Sequence, residues 1–531
     1  MKKNIIIFLI LIAVIFLIVF KKDEQNIFKE KYETDDVYYQ IFVRSFADSD
    51  NDGIGDFNGI SQNIDYFVDL GITGIYLMPI HPSPSYHGYD VLDYYDVNED
   101  YGTLDDFENL VTVAHENEIS IMIDLVINHT SDQHPWFLAS RSFHNDDHEK
   151  YKDYYTWTDE DDERFGKLGA WNQNIWHSAS GKYYAGYFSN QMPDLNMQND
   201  DVIEEIRNIG EYWLNIGVDG FRLDAAMHIY GKNEVVMDDR TQENINFWKE
   251  FSIDMRLINE DVYIIGEVWT QSSVYADYFG GLDSVFNFEL SDIIVNSAKT
   301  GRNDLYTYSI NRLYNKFDEV RPDYIDATFL RNHDNDRIAT VLNGDISRLK
   351  LAAEMQLMLP GVPFIYYGEE LGMKGAKSNG PYYDETRRLP FIWADETKRT
   401  TWFNDSFNID VEQAELQQND EDSLYNTYKK LIDLRDSSIA LKFGEFISWE
   451  SDSSTLQGFF RYYSGDSYEE ELIFVLHNIG KSDTAELAPD ITGEIIYFSK
   501  GINNYNNVSL PKGSTLVIRL NPEDFETYLN K

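Results

Sequence analysis

The sequence predicts an α/β protein: a (β/α)8 TIM barrel with an inserted subdomain after the third strand and a C-terminal antiparallel β-sandwich domain. From Val37 onward, short apolar segments alternate with segments of helical spacing over about 400 residues, and repeated β-α units of this kind indicate a parallel sheet closed as a barrel. Near residue 440 the alternation gives way to short apolar runs separated by turn residues, which is typical of antiparallel strands.

Seven apolar segments are candidate barrel strands, and segments between them, such as Thr103–Asn117, have the spacing of amphipathic helices. The candidate strands are Val37–Phe46, Gly71–Ile80, Ile119–His129, Gly217–Ala225, Val262–Trp269, Asp326–Asp334 and Gly361–Glu370. We expect the barrel to occupy residues 35–130 and 199–440. Residues 131–198 are rich in Trp, Tyr, His and Asp and lack a clear helical period, so we interpret them as an inserted B subdomain. Residues 441–531 are expected to form the C-terminal β domain.

The N-terminal segment differs in kind from the rest of the chain. Lys2 and Lys3 precede an unbroken apolar run from Ile5 to Phe20, which is intermediate in length between the core of a signal peptide and a full membrane span. No Ala-x-Ala-like cleavage site follows it. We therefore expect residues 1–24 to be a signal anchor that holds the globular part on the extracellular face of the membrane. The alternative is a cleaved signal peptide and a secreted protein.

Composition limits the classes of partner. The net charge of -48 repels nucleic acid phosphates and anionic lipid headgroups, so we expect no nucleic acid partner and favour a neutral substrate. The chain contains no cysteine, which excludes disulfides, thiolate metal sites and thiol nucleophiles. We predict no obligate protein partner.

An aspartate-rich loop, "FADSDNDGIGDFNG", follows the first candidate strand. Counted from Asp48, the ligand positions of an EF-hand loop are filled by Asp50, Asp52, the carbonyl of Ile54 and Asp56. The bidentate Glu that closes such a loop is replaced by Gly59, and the flanking segments do not indicate a helix pair. We interpret the stretch as a structural metal loop rather than a calcium sensor; the alternative is a solvated acidic turn.

Acidic residues occur at the ends of several candidate strands, at the rim where TIM-barrel enzymes place their catalytic groups. This pattern predicts one site that collects three carboxylates, Asp224, Glu267 and Asp334, with Arg222, His129 and His333 beside them. Two close carboxylates suit glycoside hydrolysis. Metal-assisted hydrolysis is the competing interpretation, although no His-Glu-x-x-His or similarly tight ligand spacing is present. Arg222 is expected to share a strand face with Asp224 and to keep that carboxylate ionised.

These segments resemble, in order, the signature regions of the α-amylase family, glycoside hydrolase family 13. The matching segments are "GITGIYLMP", "DLVINH", "MPDLN", "GFRLDAAMH", "GEVW", "NHD" and "GVPFIYYGEE". The resemblance covers roughly residues 35–530, and the "MPDLN" segment resembles the subgroup intermediate between oligo-1,6-glucosidases and neopullulanases.

The resemblance implies a role for each matching residue. Asp224 would be the nucleophile that forms a covalent glycosyl-enzyme intermediate, Glu267 the general acid and then base, and Asp334 a ligand of sugar hydroxyls. Matching substrate-binding positions are Tyr89, His129, Arg222, His228 and His333. Retention of the anomeric configuration follows, with a carboxyl separation of about 5–5.5 Å between the first two carboxylates.

In relatives of this type the aspartate loop binds calcium, or sometimes magnesium. The resemblance therefore implies a structural Ca²⁺, with Mg²⁺ possible at the same loop. Its ligands would be the carboxylates of Asp48, Asp50, Asp52 and Asp56 and the carbonyl of Ile54.

Substrate specificity is less strongly indicated. Ala225 resembles enzymes that cleave α-1,4 links, and Tyr86 stands where exo-acting α-glucosidases place a chain-end-binding Asp. We therefore expect cleavage of internal α-1,4 bonds of starch-type glucans. The alternative is an exo-acting α-glucosidase or oligo-1,6-glucosidase, and transglycosylation is possible in any of these enzymes. Met227 replaces a Lys that many α-amylases use beyond the cleaved bond, so product-side binding is expected to differ.

A non-catalytic alternative also follows from the resemblance. Heavy chains of amino-acid exchangers join one N-terminal span to an α-amylase-like domain and act as partner proteins. The full catalytic set and the absence of a cysteine for a disulfide to a light chain argue against that interpretation here.

Overall fold

The computed structural model describes residues 35–529, apart from 163–164, 167, 169–172, 231–239, 302–304, 381–382, 450–454, 481–483, 487–492 and 501–508. The predicted signal anchor or signal peptide, residues 1–24, lies outside the described residues. Within the described part of the chain, no helix has the length and apolar character needed to cross a membrane.

Eight parallel strands close into a barrel in which the first strand pairs with both the second and the last. The strands are Tyr38–Ile41, Gly74–Leu77, Ser120–Leu125, Gly220–Leu223, Tyr263–Gly266, Ser284–Phe286, Ile325–Phe329 and Val362–Tyr366. The predicted TIM barrel is confirmed. Seven strands overlap the candidate segments. The sixth has no counterpart among them, because its three residues are too few to display an apolar period.

The first candidate strand, Val37–Phe46, is only partly a strand. Pairing ends at Ile41, and Val43–Phe46 forms a helical turn. The apolar run continues past the strand because Val43 and Phe46 remain fully buried in that turn. The long apolar segment therefore reflects continuous burial rather than continuous pairing.

Helices connect the strands around the outside of the barrel. In chain order they are Val43–Phe46, Phe57–Gln62, Ile64–Leu70, Leu104–Glu116, Pro135–Ser140, His148–Tyr151, Asp200–Ile216, Thr241–Arg256, Ser272–Tyr275, Phe288–Thr300, Tyr306–Val320, Ile338–Val341, Ile346–Leu357, Ala414–Gln418, Leu424–Asp436, Ile439–Phe443 and Phe525–Leu529. Short 3₁₀ turns occur at Glu99–Tyr101, Ala276–Gly280, Glu385–Arg387, Glu396–Lys398 and Pro522–Asp524. Local sequence fixes several ends: Thr103 and Asp106 form a capping box, and the helix that begins after Asn199 stops at Gly217, whose φ is 114°.

The segment inserted after the third strand forms a small antiparallel sheet with Lys182–Ala185 between Trp157–Thr158 and Trp176–Ala179. An isolated bridge pairs His129, at the end of the third strand, with Asp194. The insert is thereby fixed beside the C-terminal ends of the barrel strands.

The C-terminal part contains a five-stranded antiparallel sheet and a two-stranded one. The larger sheet has the order Glu445–Trp449, Leu456–Tyr463, Glu471–Asn478, Ser514–Leu520, Glu494–Phe498, and the smaller pairs Thr484–Glu486 with Ser509–Pro511. The predicted antiparallel domain is confirmed. Arg461 of the larger sheet donates from Nη1 to the carbonyl of Met358 at 2.9 Å, which links this sheet to the barrel.

Buried carboxyl groups lie behind the eighth strand. The carboxyl of Glu370 accepts hydrogen bonds from the hydroxyls of Tyr39 (2.8 Å) and Tyr66 (2.6 Å), and that of Glu369 accepts one from Tyr428 (2.9 Å). Burial raises the pKa of Glu369 to about 8 and that of Glu370 to about 7. Both groups therefore bind protons more tightly in the folded protein than in the unfolded chain.

We predict that the free energy of unfolding falls as pH rises from 5 to 9, because the folded state binds more protons than the unfolded state across that interval. Glu369→Gln keeps an acceptor for the Tyr428 hydroxyl but removes the titration, and should reduce this fall by roughly 4 kcal/mol. Denaturant melts at pH 5, 7 and 9 measure it. Glu421→Gln, at an exposed site, is the control. An unchanged pH dependence in Glu369→Gln would contradict the assignment.

Candidate active site

A cavity of about 1110 Å³ opens at the C-terminal ends of the barrel strands, with residues of the inserted segment along one side. The predicted site residues that line it are Tyr89, His129, Asp224, His228, Glu267 and Asp334. Further lining residues include Tyr86, Phe188, Trp269, Lys377, Asp384, Arg387 and Arg388. Arg222 and His333 are buried just behind this surface. The structure thus brings all eight predicted catalytic and substrate-binding residues to one rim of the barrel.

The chain turns sharply where Asp224 follows the fourth strand. Ala225 has a φ of 49°, in the left-handed region that non-glycine residues seldom adopt and that costs of order 1–3 kcal/mol. In this conformation the backbone N–H of Ala225 donates to Oε2 of Glu267 at 3.3 Å. The N–H of Ala226 donates to the Glu267 carbonyl at 3.1 Å. The strained turn therefore joins the ends of the fourth and fifth strands.

One guanidinium, that of Arg222, contacts three carboxylates. Its Nη1 lies 2.8 Å from Oδ1 of Asp224 and 2.9 Å from Oδ1 of Asp124, and its Nη2 lies 3.0 Å from Oε2 of Glu267. The planar donor fork of arginine allows one residue to satisfy several acceptors in a fixed geometry. The side chain of Arg222 is almost fully buried, so these contacts are shielded from water and salt.

The protonation of this cluster is set by opposing effects. Burial raises the pKa of Asp224 well above its usual range and also raises the pKa of Glu267, while the positive charge of Arg222 lowers both. The negative charge of Glu267 adds to the increase at Asp224. Arg222 lowers the pKa of Asp224, as expected, but burial and the charge of Glu267 outweigh this effect and the net shift is upward. The raised pKa values at both carboxyls favour protonation of one member of the pair, so that one can act as an acid and the other as a base.

Asp334 has the opposite environment. Burial by itself would raise the pKa of Asp334, but His333 and the guanidinium of Arg388 outweigh it and hold that pKa below its usual range. Arg388 Nη2 lies 3.2 Å from Oδ1 of Asp334, and His333 Nε2 lies 3.0 Å from Oδ2. The ring of Tyr89 stacks on that of His333 with centroids 5.7 Å apart. Asp334 is therefore held as an ionised hydrogen-bond acceptor beside an aromatic ring.

The two remaining histidines lie toward the inserted segment. His129 is hydrogen-bonded through Nε2 to the backbone carbonyl of Tyr89 at 3.0 Å. The ring of His228 lies 4.7 Å from that of Tyr187 and 5.5 Å from that of Phe188, both in the insert. The His228 contacts join the barrel rim to the insert.

Sequence reasoning did not assign two residues that the site depends on. Asp124 accepts hydrogen bonds from Arg222 and from the hydroxyls of Tyr76 (2.8 Å) and Tyr89 (2.9 Å). Its position at the start of "DLVINH" was a usable signal. Arg388 follows a 3₁₀ turn after the eighth strand, where no periodic pattern marks a functional side chain.

Three predicted metal ligands converge in the aspartate loop. Carboxylate oxygens of Asp48, Asp50 and Asp56 lie within 4.8 Å of one another. Asp52 lies outside this group, and its Oδ1 accepts a hydrogen bond from the backbone N of Ile54 at 2.7 Å. Burial raises the pKa of Asp56, opposed by hydrogen bonds and assisted by the charge of Asp50. An all-oxygen donor set with this charge fits a hard cation such as Ca²⁺.

Comparisons with known proteins agree with this geometry. The family model "Alpha amylase, catalytic domain" matches residues 40–444. Alpha-amylase 3 of Dictyoglomus thermophilum is 41% identical over 501 residues, covering 93% of this chain and 95% of that protein. A 4-alpha-glucanotransferase of Thermotoga neapolitana is 36% identical over 70% of this chain and 79% of its own length. The crystal structure of an alpha-amylase from H. orenii matches with a TM-score of 0.81 at 38% identity, over 92% of this chain and 99% of that chain.

We predict that Asp124→Asn moves the alkaline limb of the pH–rate profile to lower pH. The negative charge of Asp124 raises the pKa of Asp224, so its removal lets Arg222 lower that pKa further. The proton held by the Asp224 and Glu267 carboxyls is then lost at a lower pH. The misplaced guanidinium should also reduce kcat by roughly tenfold or more. The measurement is kcat against pH from 4 to 10. The exposed Asp161→Asn is the control, and an alkaline limb that stays in place would contradict the role of Asp124.

Proposed function

The chain belongs to the α-amylase family, glycoside hydrolase family 13, and we propose that it is a retaining hydrolase of internal α-1,4-glucosidic bonds in starch-type glucans and maltooligosaccharides. One observation carries the proposal: Arg222 holds Asp224 and Glu267 side by side at the cavity. A paired nucleophile and acid is what glycoside hydrolysis with retention requires.

In the first step, a carboxylate oxygen of Asp224 attacks the anomeric carbon as the glycosidic C–O bond breaks. Arg222 contacts Oδ1 of Asp224, which leaves Oδ2 for the attack. Glu267 gives its proton to the departing oxygen, so the shorter glucan leaves with a hydroxyl group. A glycosyl ester on Asp224 and an ionised Glu267 remain.

In the second step, ionised Glu267 takes a proton from a water molecule whose oxygen attacks the anomeric carbon. The ester bond to Asp224 breaks, which restores the carboxylate and releases the sugar with its original configuration. Asp334, ionised and beside the ring of Tyr89, is placed to accept hydroxyl hydrogen bonds from the distorted glucose. His129 and His333 would bind the same glucose.

The shape of the cavity supports internal cleavage. Its volume of about 1110 Å³ exceeds what one or two sugar units need, and Tyr86 rather than an acid lies on its wall. The D. thermophilum relative is named as an alpha-amylase. The resemblance of Met192–Asn196 to the intermediate subgroup keeps an exo-acting α-glucosidase or oligo-1,6-glucosidase as the second candidate. The similarity to a 4-alpha-glucanotransferase favours some transfer to sugar acceptors.

We also propose that the aspartate loop holds a structural Ca²⁺, for which Mg²⁺ is the alternative. Asp48, Asp50 and Asp56 would supply the carboxylate ligands, with the Ile54 carbonyl as a further oxygen. The cation would neutralise the mutual repulsion of the carboxylates and supply no chemistry to the reaction. Asp52 would contribute only after a change of side-chain position.

For localisation, we propose export of the protein. Residues 1–24 would act as a signal anchor, with secretion after cleavage as the alternative, because the apolar run is preceded by lysines and because starch is an extracellular substrate for a cell.

We predict that the wild-type protein releases a ladder of mid-length products from amylose, and that Asp224→Asn lowers kcat by at least about a thousandfold because it removes the attacking carboxylate. Chromatography of products over time measures both. Asp466→Asn, the same change on an exposed loop, should behave as wild type.

Three results would count against this assignment. Glucose as the sole product from the outset would favour the exo-acting alternative, and isomaltose cleaved faster than maltotriose would favour the oligo-1,6-glucosidase. No activity on amylose, maltotriose, pullulan, cyclodextrin or isomaltose would overturn the enzyme proposal.

For the metal, we predict that excess EDTA lowers the melting temperature by about 1–2 °C, since loss of about 1–2 kcal/mol of stabilisation by the bound cation shifts the melting temperature of a protein of this size by about 1 °C per kcal/mol. Readdition of CaCl₂ should restore it. Asp48→Asn should melt at a lower temperature and respond weakly to EDTA. A melting temperature that EDTA leaves unchanged would contradict a bound cation.

A further inference from the structure

Trp402 lies between the aspartate loop and the wall of the cavity. On the loop side, the carbonyl of Gly53 accepts hydrogen bonds from the backbone N–H groups of Thr401 (2.7 Å) and Trp402 (2.9 Å). The N–H of Asp48 donates to the carbonyl of Lys398 at 2.9 Å. The segment that carries Trp402 is thus hydrogen-bonded to the loop at two positions, Asp48 and Gly53.

The attachment begins at one of the grouped carboxylates. Oδ2 of Asp48 accepts the N–H of Gly53 at 2.8 Å, so that carboxylate restrains Gly53, the residue whose carbonyl accepts the N–H of Trp402. Gly53 has a φ of 95°, and a Cβ there would lie 2.5 Å from Oγ1 of Thr401. The loop and the Trp402 segment therefore approach too closely to move independently.

On the cavity side, the indole ring of Trp402 stacks on Tyr86 with centroids 5.7 Å apart and planes 20° apart. Its Nε1 donates to Oγ of Ser45 at 2.9 Å, and that hydroxyl donates to the carbonyl of Arg388 at 2.5 Å. Arg388 in turn reaches the hydroxyl of Tyr86 at 3.5 Å and the carboxylate of Asp334. Trp402 therefore supports two neighbouring residues of the cavity wall, one by stacking and one through Ser45.

We propose that Trp402 is a positioning residue that couples the aspartate loop to the cavity wall formed by Tyr86 and Arg388, so that a cation bound by the loop tightens glucan binding. This inference rests on the proposed glucan substrate and extends the role of the loop from stability to affinity. A bound cation would fix the Asp48 carboxylate. The hydrogen bonds through Gly53 and the stacking of Trp402 on Tyr86 would then restrict the movement of the cavity wall. By linkage, glucan must tighten cation binding by the same factor.

The coupling is expected in affinity rather than in the chemical step. Arg222 holds Asp224 and Glu267 at the ends of the fourth and fifth strands, whereas Trp402 follows the eighth strand and supports the wall beside Asp334. Greater mobility of this wall would lower the affinity for the sugar chain without moving the nucleophile Asp224 and the acid Glu267.

The test measures binding of maltoheptaose by calorimetry to the full-length Asp224→Asn protein, which leaves the sugar intact. We expect affinity to be about fivefold or more higher in CaCl₂ than in EDTA, within the usual range of coupling between sites. With Trp402→Leu added, the ratio should approach one. Trp402→Phe keeps a stacking ring but loses the indole donor, and should retain part of the ratio. Trp449→Leu, in the C-terminal sheet against Phe474, is the matched control and should keep all of it.

A second readout is independent of sugar. Addition of CaCl₂ to the EDTA-treated protein should change tryptophan emission, and Trp402→Phe should lose most of that change while Trp449→Phe keeps it. Melting curves confirm that each variant is folded. Equal affinity in CaCl₂ and EDTA, or an unchanged ratio in Trp402→Leu, would overturn the coupling. If wild type fails to cleave amylose while calcium still tightens maltoheptaose binding through Trp402, the proposed hydrolysis fails and the coupling stands.

Discussion

The guanidinium of Arg222 is the contact on which the site depends. It meets carboxylates from the third, fourth and fifth barrel strands, namely Asp124, Asp224 and Glu267. Two carboxylates about 4 Å apart repel by about 4 kcal/mol at an effective dielectric constant of 20, so three such strand ends would resist closing together without a buried cation. Arg222 offsets this repulsion, but one guanidinium does not balance three carboxylates, and this imbalance favours protonation within the cluster.

The same contact explains why neighbouring acids differ. Asp224 and Glu267 share the guanidinium of Arg222 and have raised pKa values, whereas Asp334 is in direct contact with both Arg388 and His333 and has a lowered pKa. One rim thus presents a pair of carboxyls that favours protonation and a third that favours ionisation. The raised carboxyls also make the site costly to fold, because burial opposes their ionised forms. The strained Ala225 adds to that cost and is held by its contact with Glu267.

The sequence predicted the barrel and the acids because both leave a local signal. Asp224, Glu267 and Asp334 each follow an apolar run, and the ends of parallel strands must meet at one rim. The strand Ser284–Phe286 could not be predicted because three residues are too few to show an apolar period. Arg388 could not be predicted because it lies in an irregular segment after the eighth strand. The partners of Arg222 depend on packing between strands nearly a hundred residues apart in the case of Asp124. Such distances cannot be inferred from spacing, and neither can the exclusion of Asp52 from the aspartate group.

The central claim is that Arg222 holds a nucleophile and an acid on either side of one bond, which requires two displacements and hence retention. Proton NMR of the first sugars released from maltoheptaose tests it most directly, in the minutes before mutarotation. The account predicts that the α-anomer of the new reducing end appears first and that the β-anomer grows in only later. Initial release of the β-anomer would mean a single displacement by water, and would contradict the role given to Asp224.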